Sequence, residues 1–248
     1  MWSRSVGGGS VLLRKPRSYA EVYNDLDGEI VNLFRAARDD GEALALACEL
    51  TPFARAEFAA SYQAVMDNPL EQARRTLVRS FMGFGSASVN GQVSGFRANS
   101  NRSGTTPAHD WMNYPDALRI TIQRLRGLVI ENRDAVAVMR HHDAPTTLHY
   151  VDPPYVHETR QMGNKSGAYR HEMTDADHVA LAGALRELQG AVIVSGYRCA
   201  LYDEVFAGWR RIDRAALADG ARDRTESLWL SPRASAAMPA PGLELEAA

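Results

Sequence analysis

The chain has 248 residues, 45% of them hydrophobic and 23% charged, enough for one sizeable α/β core with room for an inserted region. Its formal net charge of -2 supplies no global basic field, so contact with nucleic acid has to come from a local patch. No apolar run is long enough to span a bilayer, no secretory leader opens the sequence, and Cys48 and Cys199 lack metal-type spacing, which argues against a membrane protein, a disulfide scaffold and a zinc module.

The default expectation is a soluble intracellular protein whose two cysteines are buried as small hydrophobes. Lys15 and Lys165 are the only lysines among 28 basic residues. Coding preference explains such an arginine bias, which also supplies planar forks suited to phosphate.

Gly7-Gly8-Gly9-Ser10 reads as a glycine loop entering a brief helix, Val11-Leu12-Leu13, that stops at Pro16. Glu21-Val22-Tyr23-Asn24 then forms a strand that delivers Asp25 at its carboxyl end. Ile30, Leu33, Phe34 and Ala37 recur at helical spacing up to Gly41, and Asp27 is placed to cap that helix. Thr51-Pro52 and Asn68-Pro69 each set a capping residue before proline, so two helices are expected after them.

From Gly83 to Asn113 the chain is rich in Gly, Ser, Asn and Thr, interspersed with Phe84, Phe96, Arg97, Arg102, His109 and Trp111, and reads as a long polar loop. Beyond Tyr114-Pro115, Leu118, Ile122 and Leu125 mark a helix, and Leu128-Val129-Ile130-Glu131 a buried strand. Thr147 to Val151 is a further strand. Thr174 caps an Ala/Leu-rich helix leading to Ala191-Val192-Ile193-Val194-Ser195, another buried strand. Trp209 to Ile212 and Thr225 to Leu230 pair as antiparallel strands, and Pro232 onward reads as a frayed tail.

The strand Thr147 to Val151 runs straight into Asp152-Pro153-Pro154-Tyr155, at the strand edge where open α/β sheets bind ligands. Asp152 offers a carboxylate and Pro153 a carbonyl. The two prolines fix φ and carry no N–H, so the segment holds acceptors rigidly and donates nothing. A plain turn is the simpler alternative, since Asp and Pro both favour turns.

The wider segment Leu148-His149-Tyr150-Val151-Asp152-Pro153-Pro154-Tyr155 closely resembles the DNA adenine-N6 methyltransferase family related to bacterial Dam, particularly its phage-borne members. The resemblance extends from Gly7 to Pro232 and implies a doubly wound, Rossmann-like α/β sheet with an inserted helical and loop target-recognition region. It further implies S-adenosylmethionine as cofactor, double-stranded DNA as partner, no metal, and work in the cytoplasm of a bacterial or phage-infected cell. In such enzymes the acceptors of Asp152 and Pro153 draw density onto adenine's weakly nucleophilic amine, and Tyr155 stacks on a base lifted from the duplex.

By the same resemblance, Tyr23-Asn24-Asp25-Leu26-Asp27 matches the motif whose acid binds the cofactor's ribose, a role carried to Asp25. Glu131-Asn132-Arg133-Asp134 matches the motif near the cofactor's adenine, which leaves Asp134 between that role and a helix cap. Gly7, Gly8 and Gly9 match the end of the cofactor loop, where a missing Cβ lets backbone approach the methionine part; such a run alone reads as a linker. Asp152 is included in the cofactor set. Ser195-Gly196-Tyr197 matches a late segment in which Tyr197 can wall the base pocket, and Trp229 reads as core.

The motif order implies residues 1–38 as the first part of the catalytic domain, 39–115 as the target-recognition insertion, 116–232 as the second catalytic part and 233–248 as a flexible tail. Within the insertion Arg97, Asn99, Asn101 and Arg102 are candidates for phosphate or base-edge contacts, or else belong to a solvated loop. The family also has a further N-terminal segment with an apolar strand ending in an acid. Met1 to Val6 matches neither, so reduced binding and stability of this form are expected. Rival readings are an inert DNA-binding remnant and a methyltransferase for RNA or protein amides; the glycine run lacks the spacing of a nucleotide-phosphate loop.

Overall fold

The structure is a computed structural model, and it describes residues 7–63, 67–84, 93–98, 104–159, 171–217 and 223–238. The chain divides into two compact units, Met1–Ala135 with Ser166–His171, and Val136–Lys165 with Glu172–Ala248. Each has its own core and its own hydrogen-bonded strands.

The first unit begins with α1 (Gly7–Arg14) and β1 (Val22–Asn24), followed by α2 (Gly28–Asp39), α3 (Gly41–Glu49), α4 (Arg55–Ala60) and α5 (Pro69–Met82). After α6 (Pro107–Met112) and α7 (Tyr114–Leu125), the chain enters β2 (Val129–Glu131), which pairs parallel with β1 in the register Tyr23↔Ile130. Leu44, Ala45, Cys48, Ala73, Val78 and Met82 are essentially inaccessible, so the helices of the 39–115 region share one core with α2 and α7. Trp111, placed in a polar loop by sequence, joins that core and donates its indole N–H to Thr51 O at 2.8 Å.

Asp27 accepts from Glu29 N at 2.9 Å and Asn68 from Glu71 N at 3.0 Å, each capping a helix as its side chain dictates. Thr51 does the opposite of what Thr51-Pro52 suggested: its hydroxyl donates to Ala47 O at 2.6 Å and so closes α3, while α4 starts only at Arg55 behind an uncapped Ala54. The Thr51 hydroxyl is held backward by a terminal carbonyl of α3 and so does not cap the segment after Pro52.

The glycines Gly7 to Gly9 lie inside α1 rather than in a loop ahead of it, since helical φ is available to glycine where the first N–H groups need no partner. α2 ends at Asp39, near Gly41 as expected, and Gly41 itself starts α3; a Cβ there would lie 2.5 Å from Ile122 Cγ2, so glycine permits the approach of α3 to α7. The strand at Leu128 is only half buried, with Val129 exposed and Ile130 inside.

The second unit continues α8 (Ala135–His141) into β3 (Leu148–Val151), then α9 (Asp175–Glu187), β4 (Ala191–Tyr197), α10 (Ala200–Val205), β5 (Arg210–Leu217), β6 (Asp223–Leu230) and α11 (Pro232–Ala236). The strand order is β3-β4-β6-β5, with β3 and β4 parallel and β6 antiparallel to both its neighbours. Thr174 and Asp177 form a reciprocal capping box on α9. Val192, Val194, Trp229, Tyr202, Phe206 and Leu185 make the core, all on the sheet face that meets α9 and α10. The expected frayed tail is a helix at first: Ser231 accepts from Ala234 N, and Ala234 is buried. Among the described residues no helix is long and apolar enough to cross a membrane, and no group of three or more His, Cys, Asp or Glu converges on a metal site.

Candidate active site

In the first unit, the parallel pair β1 and β2 ends in two loops that are tied to each other. Asn24 Nδ2 donates to Arg133 O at 3.0 Å and Asn24 Oδ1 accepts from Arg133 N at 3.1 Å, while Asn132 Nδ2 donates to Asp25 O at 2.7 Å. These bonds fix Asp25 just beyond the carboxyl end of β1. Its carboxylate accepts from the Tyr23 hydroxyl and from Asp27 N, both at 2.9 Å.

Burial raises the Asp25 pKa above the ordinary aspartate value, against the opposing influence of the Asp27 amide and the Tyr23 hydroxyl. Each carboxylate oxygen has two lone pairs, so one donor apiece leaves acceptor capacity for two hydroxyls. That pair of acceptors fits a ribose. Asp134 is exposed on the loop directly ahead of α8, and Gly9, buried, stands in the first turn of α1.

In the second unit, β3 stops at Val151 while its partner β4 runs three residues further, the register being Val151↔Val194. Ser195 therefore stands beside the position that Asp152 takes as the chain leaves the sheet. Its hydroxyl donates to Asp152 Oδ1 at 2.6 Å. Pro153 is buried, whereas Asp152, Pro154 and Tyr155 are half-buried.

Side chains alternate along a strand, so Tyr150 and Asp152 share one face with Ser195 and Tyr197. The Tyr155 ring meets Tyr197 edge to face, with centroids 4.6 Å apart and an interplanar angle of 63°. Burial raises the pKa of the Tyr150 hydroxyl above its ordinary value. On the opposite face a Cβ at Gly196 would sit 3.0 Å from Tyr202 Cε2, so glycine is what lets β4 settle onto that ring between Ser195 and Tyr197.

Sequence reasoning placed Asp152-Pro153-Pro154-Tyr155 and Tyr197, and the structure brings Tyr155 and Tyr197 together. It missed Ser195 as the partner of Asp152, and Asn24, Asn132 and Tyr23 as the fixings of Asp25. A polar residue in register at the end of a parallel partner strand is the signal that points to Ser195.

Arg97 is described: its amide donates to Met82 O at 2.8 Å and its Nη1 to Phe81 O at 3.1 Å, so part of its guanidinium is spent on the end of α5. Asn99, Asn101 and Arg102 lie outside the described residues.

A family model, D12 class N6 adenine-specific DNA methyltransferase, matches residues 6–218. No curated protein matches the chain significantly. The matched span contains both the Asp25 and the Asp152 sites, and its mixed α/β architecture agrees with a Rossmann-like methyltransferase. With most of its length under that one model, this chain belongs to the D12 class of N6 adenine-specific DNA methyltransferases.

Proposed function

We propose that the chain methylates the exocyclic amine of adenine in double-stranded DNA with S-adenosylmethionine as donor, acting on a base turned out of the helix. The observation that carries this reading is the Asp152 carboxylate, held at a strand end by Ser195 with Tyr155 and Tyr197 beside it. Adenine's amine lone pair is delocalised into its ring. Acceptors on both N–H groups, Asp152 and the Pro153 carbonyl, return density to nitrogen, and the Asp152 carboxylate is the base at hand for the one proton lost on transfer.

S-adenosylmethionine, when bound, supplies a methyl group made electrophilic by a sulfonium. Asp25 would hold its ribose hydroxyls, Gly7, Gly8 and Gly9 its methionine part, and Asp134 either its adenine side or the start of α8. Pro153 and Pro154 exclude backbone donors from the amine, and Tyr155 grips the face of the extruded base, worth about 1–3 kcal/mol and comparable to the cost of extrusion.

The 39–115 region is assigned to target reading, with Arg97, Asn99, Asn101 and Arg102 as the residues to test for phosphate or base contact. Activity on DNA places the proposed work in the cytoplasm of a bacterial or phage-infected cell.

The test is transfer of labelled methyl from S-adenosylmethionine to unmethylated duplex DNA, with RNA and protein as parallel acceptors. Wild-type protein is expected to label adenine in duplex DNA and Asp152→Ala to label nothing. Labelling of RNA or protein in preference to duplex DNA refutes the substrate; full activity of Asp152→Ala refutes the site.

A further inference from the structure

We infer that Ser195 is a positioning residue for the acceptor site, its hydroxyl aiming the Asp152 carboxylate at the target amine. The inference rests on the reading of Asp152 as the amine's acceptor. An ionised carboxylate only accepts, so Ser195 is the donor of the pair. It lies 2.6 Å from Asp152 Oδ1, a length typical of a charge-assisted hydroxyl bond, against 3.4 Å from the Val151 carbonyl.

Secondary structure fixes the pair: Ser195 is the next residue along β4 after the Val151↔Val194 pair, beside the position Asp152 takes as the chain leaves β3. Ser195 is 9% exposed and its neighbour Val194 is fully buried, so the hydroxyl is held in place by the sheet. Asp152 has left the ladder, and without Ser195 its side chain loses a rotamer constraint that the prolines, which restrain only backbone, do not replace. Misplacing an acceptor by a fraction of a bond length affects transfer far more than binding.

The experiment uses the full chain, labelled S-adenosylmethionine and a random-sequence duplex, and compares Ser195→Ala, Ser195→Thr, Ser195→Cys and Asp152→Ala. Ser195→Ala is expected to lower kcat ~10²-fold with KM for DNA and for cofactor little changed and with an unaltered melting temperature. Ser195→Thr, which keeps the hydroxyl, is expected to recover most of that loss. Ser195→Cys, whose thiol donates only weakly, is expected to lower kcat by roughly 10-fold.

A Ser195→Ala protein with wild-type kcat, beside an inactive Asp152→Ala, overturns the inference and leaves the acceptor reading standing. Should Ser195→Ala fail to fold, an unchanged kcat for Ser195→Cys overturns it instead. Full activity of Asp152→Ala overturns the acceptor reading itself.

Discussion

Tyr23 and Asp25, two residues apart at the end of β1, are joined by a 2.9 Å hydrogen bond from the phenol to Oδ2. Burial raises the Asp25 pKa above its ordinary value. At pH above the folded-state pKa the acid is ionised in folded and unfolded chains alike, and its desolvation opposes folding; below the unfolded-state pKa that opposition is absent. Asp25→Asn is therefore expected to melt no lower than wild type at pH 7 while binding S-adenosylmethionine about 10- to 100-fold more weakly. Calorimetric titration and thermal melts check both. Wild-type affinity is also expected to fall as pH drops through the raised pKa, earlier than for an ordinary aspartate.

Glu21 joins the opposite end of that strand to α7. It accepts from Arg124 Nη1 at 2.7 Å and from Lys15, and its side chain is 6% exposed. The Arg124 hydrogen bond leads in lowering its pKa from 4.5 to about 2. A depressed folded-state pKa means the stabilisation is full above the unfolded value and is lost as pH falls toward the folded one. Glu21→Ala is expected to cost ~3 kcal/mol at pH 7 because it strands Arg124. Urea unfolding at a series of pH values checks it: the gap between variant and wild type narrows below pH 4.5.

Two glycines of the second unit should respond in opposite directions. A Cβ at Gly190 would meet Thr147 O at 2.7 Å and His149 Cδ2 at 3.0 Å, whereas at Gly183, exposed on α9, it would meet nothing within 4 Å. Gly190→Ala is expected to destabilise by about 1–3 kcal/mol and Gly183→Ala to stabilise by up to ~1 kcal/mol. Denaturant midpoints distinguish them.

For Tyr155, stacking predicts a clean split between two substitutions. Tyr155→Phe keeps the ring against Tyr197 and is expected to retain methylation within a few-fold. Tyr155→Ala is expected to lose roughly 10- to 100-fold in kcat/KM on duplex DNA, the equivalent of about 1–3 kcal/mol of base stacking. Equal rates for all three proteins refute a stacking role.

Helices with strong periodicity and named caps were legible in the sequence, because Asn68, Asp27 and Thr174 satisfy amides two or three residues away and need nothing distant. Thr51 and Trp111 were misread for the converse reason. Thr51 caps backward, and its carbonyl takes the indole proton of a residue sixty positions later, which no local pattern encodes.

The sequence by itself determined the alternation of strands and helices, the burial of both cysteines, and the chemistry offered by Asp152, Pro153, Pro154 and Tyr155, since period, proline geometry and functional groups are properties of neighbouring residues. Only tertiary structure decided what holds those groups. That Ser195 meets Asp152 follows from the register of β3 on β4, and that Asn24 grips Arg133 follows from the pairing of β1 with β2 across a hundred residues. Register is set by burying one face of each strand against a core assembled from distant segments, so it exists only once the chain has folded.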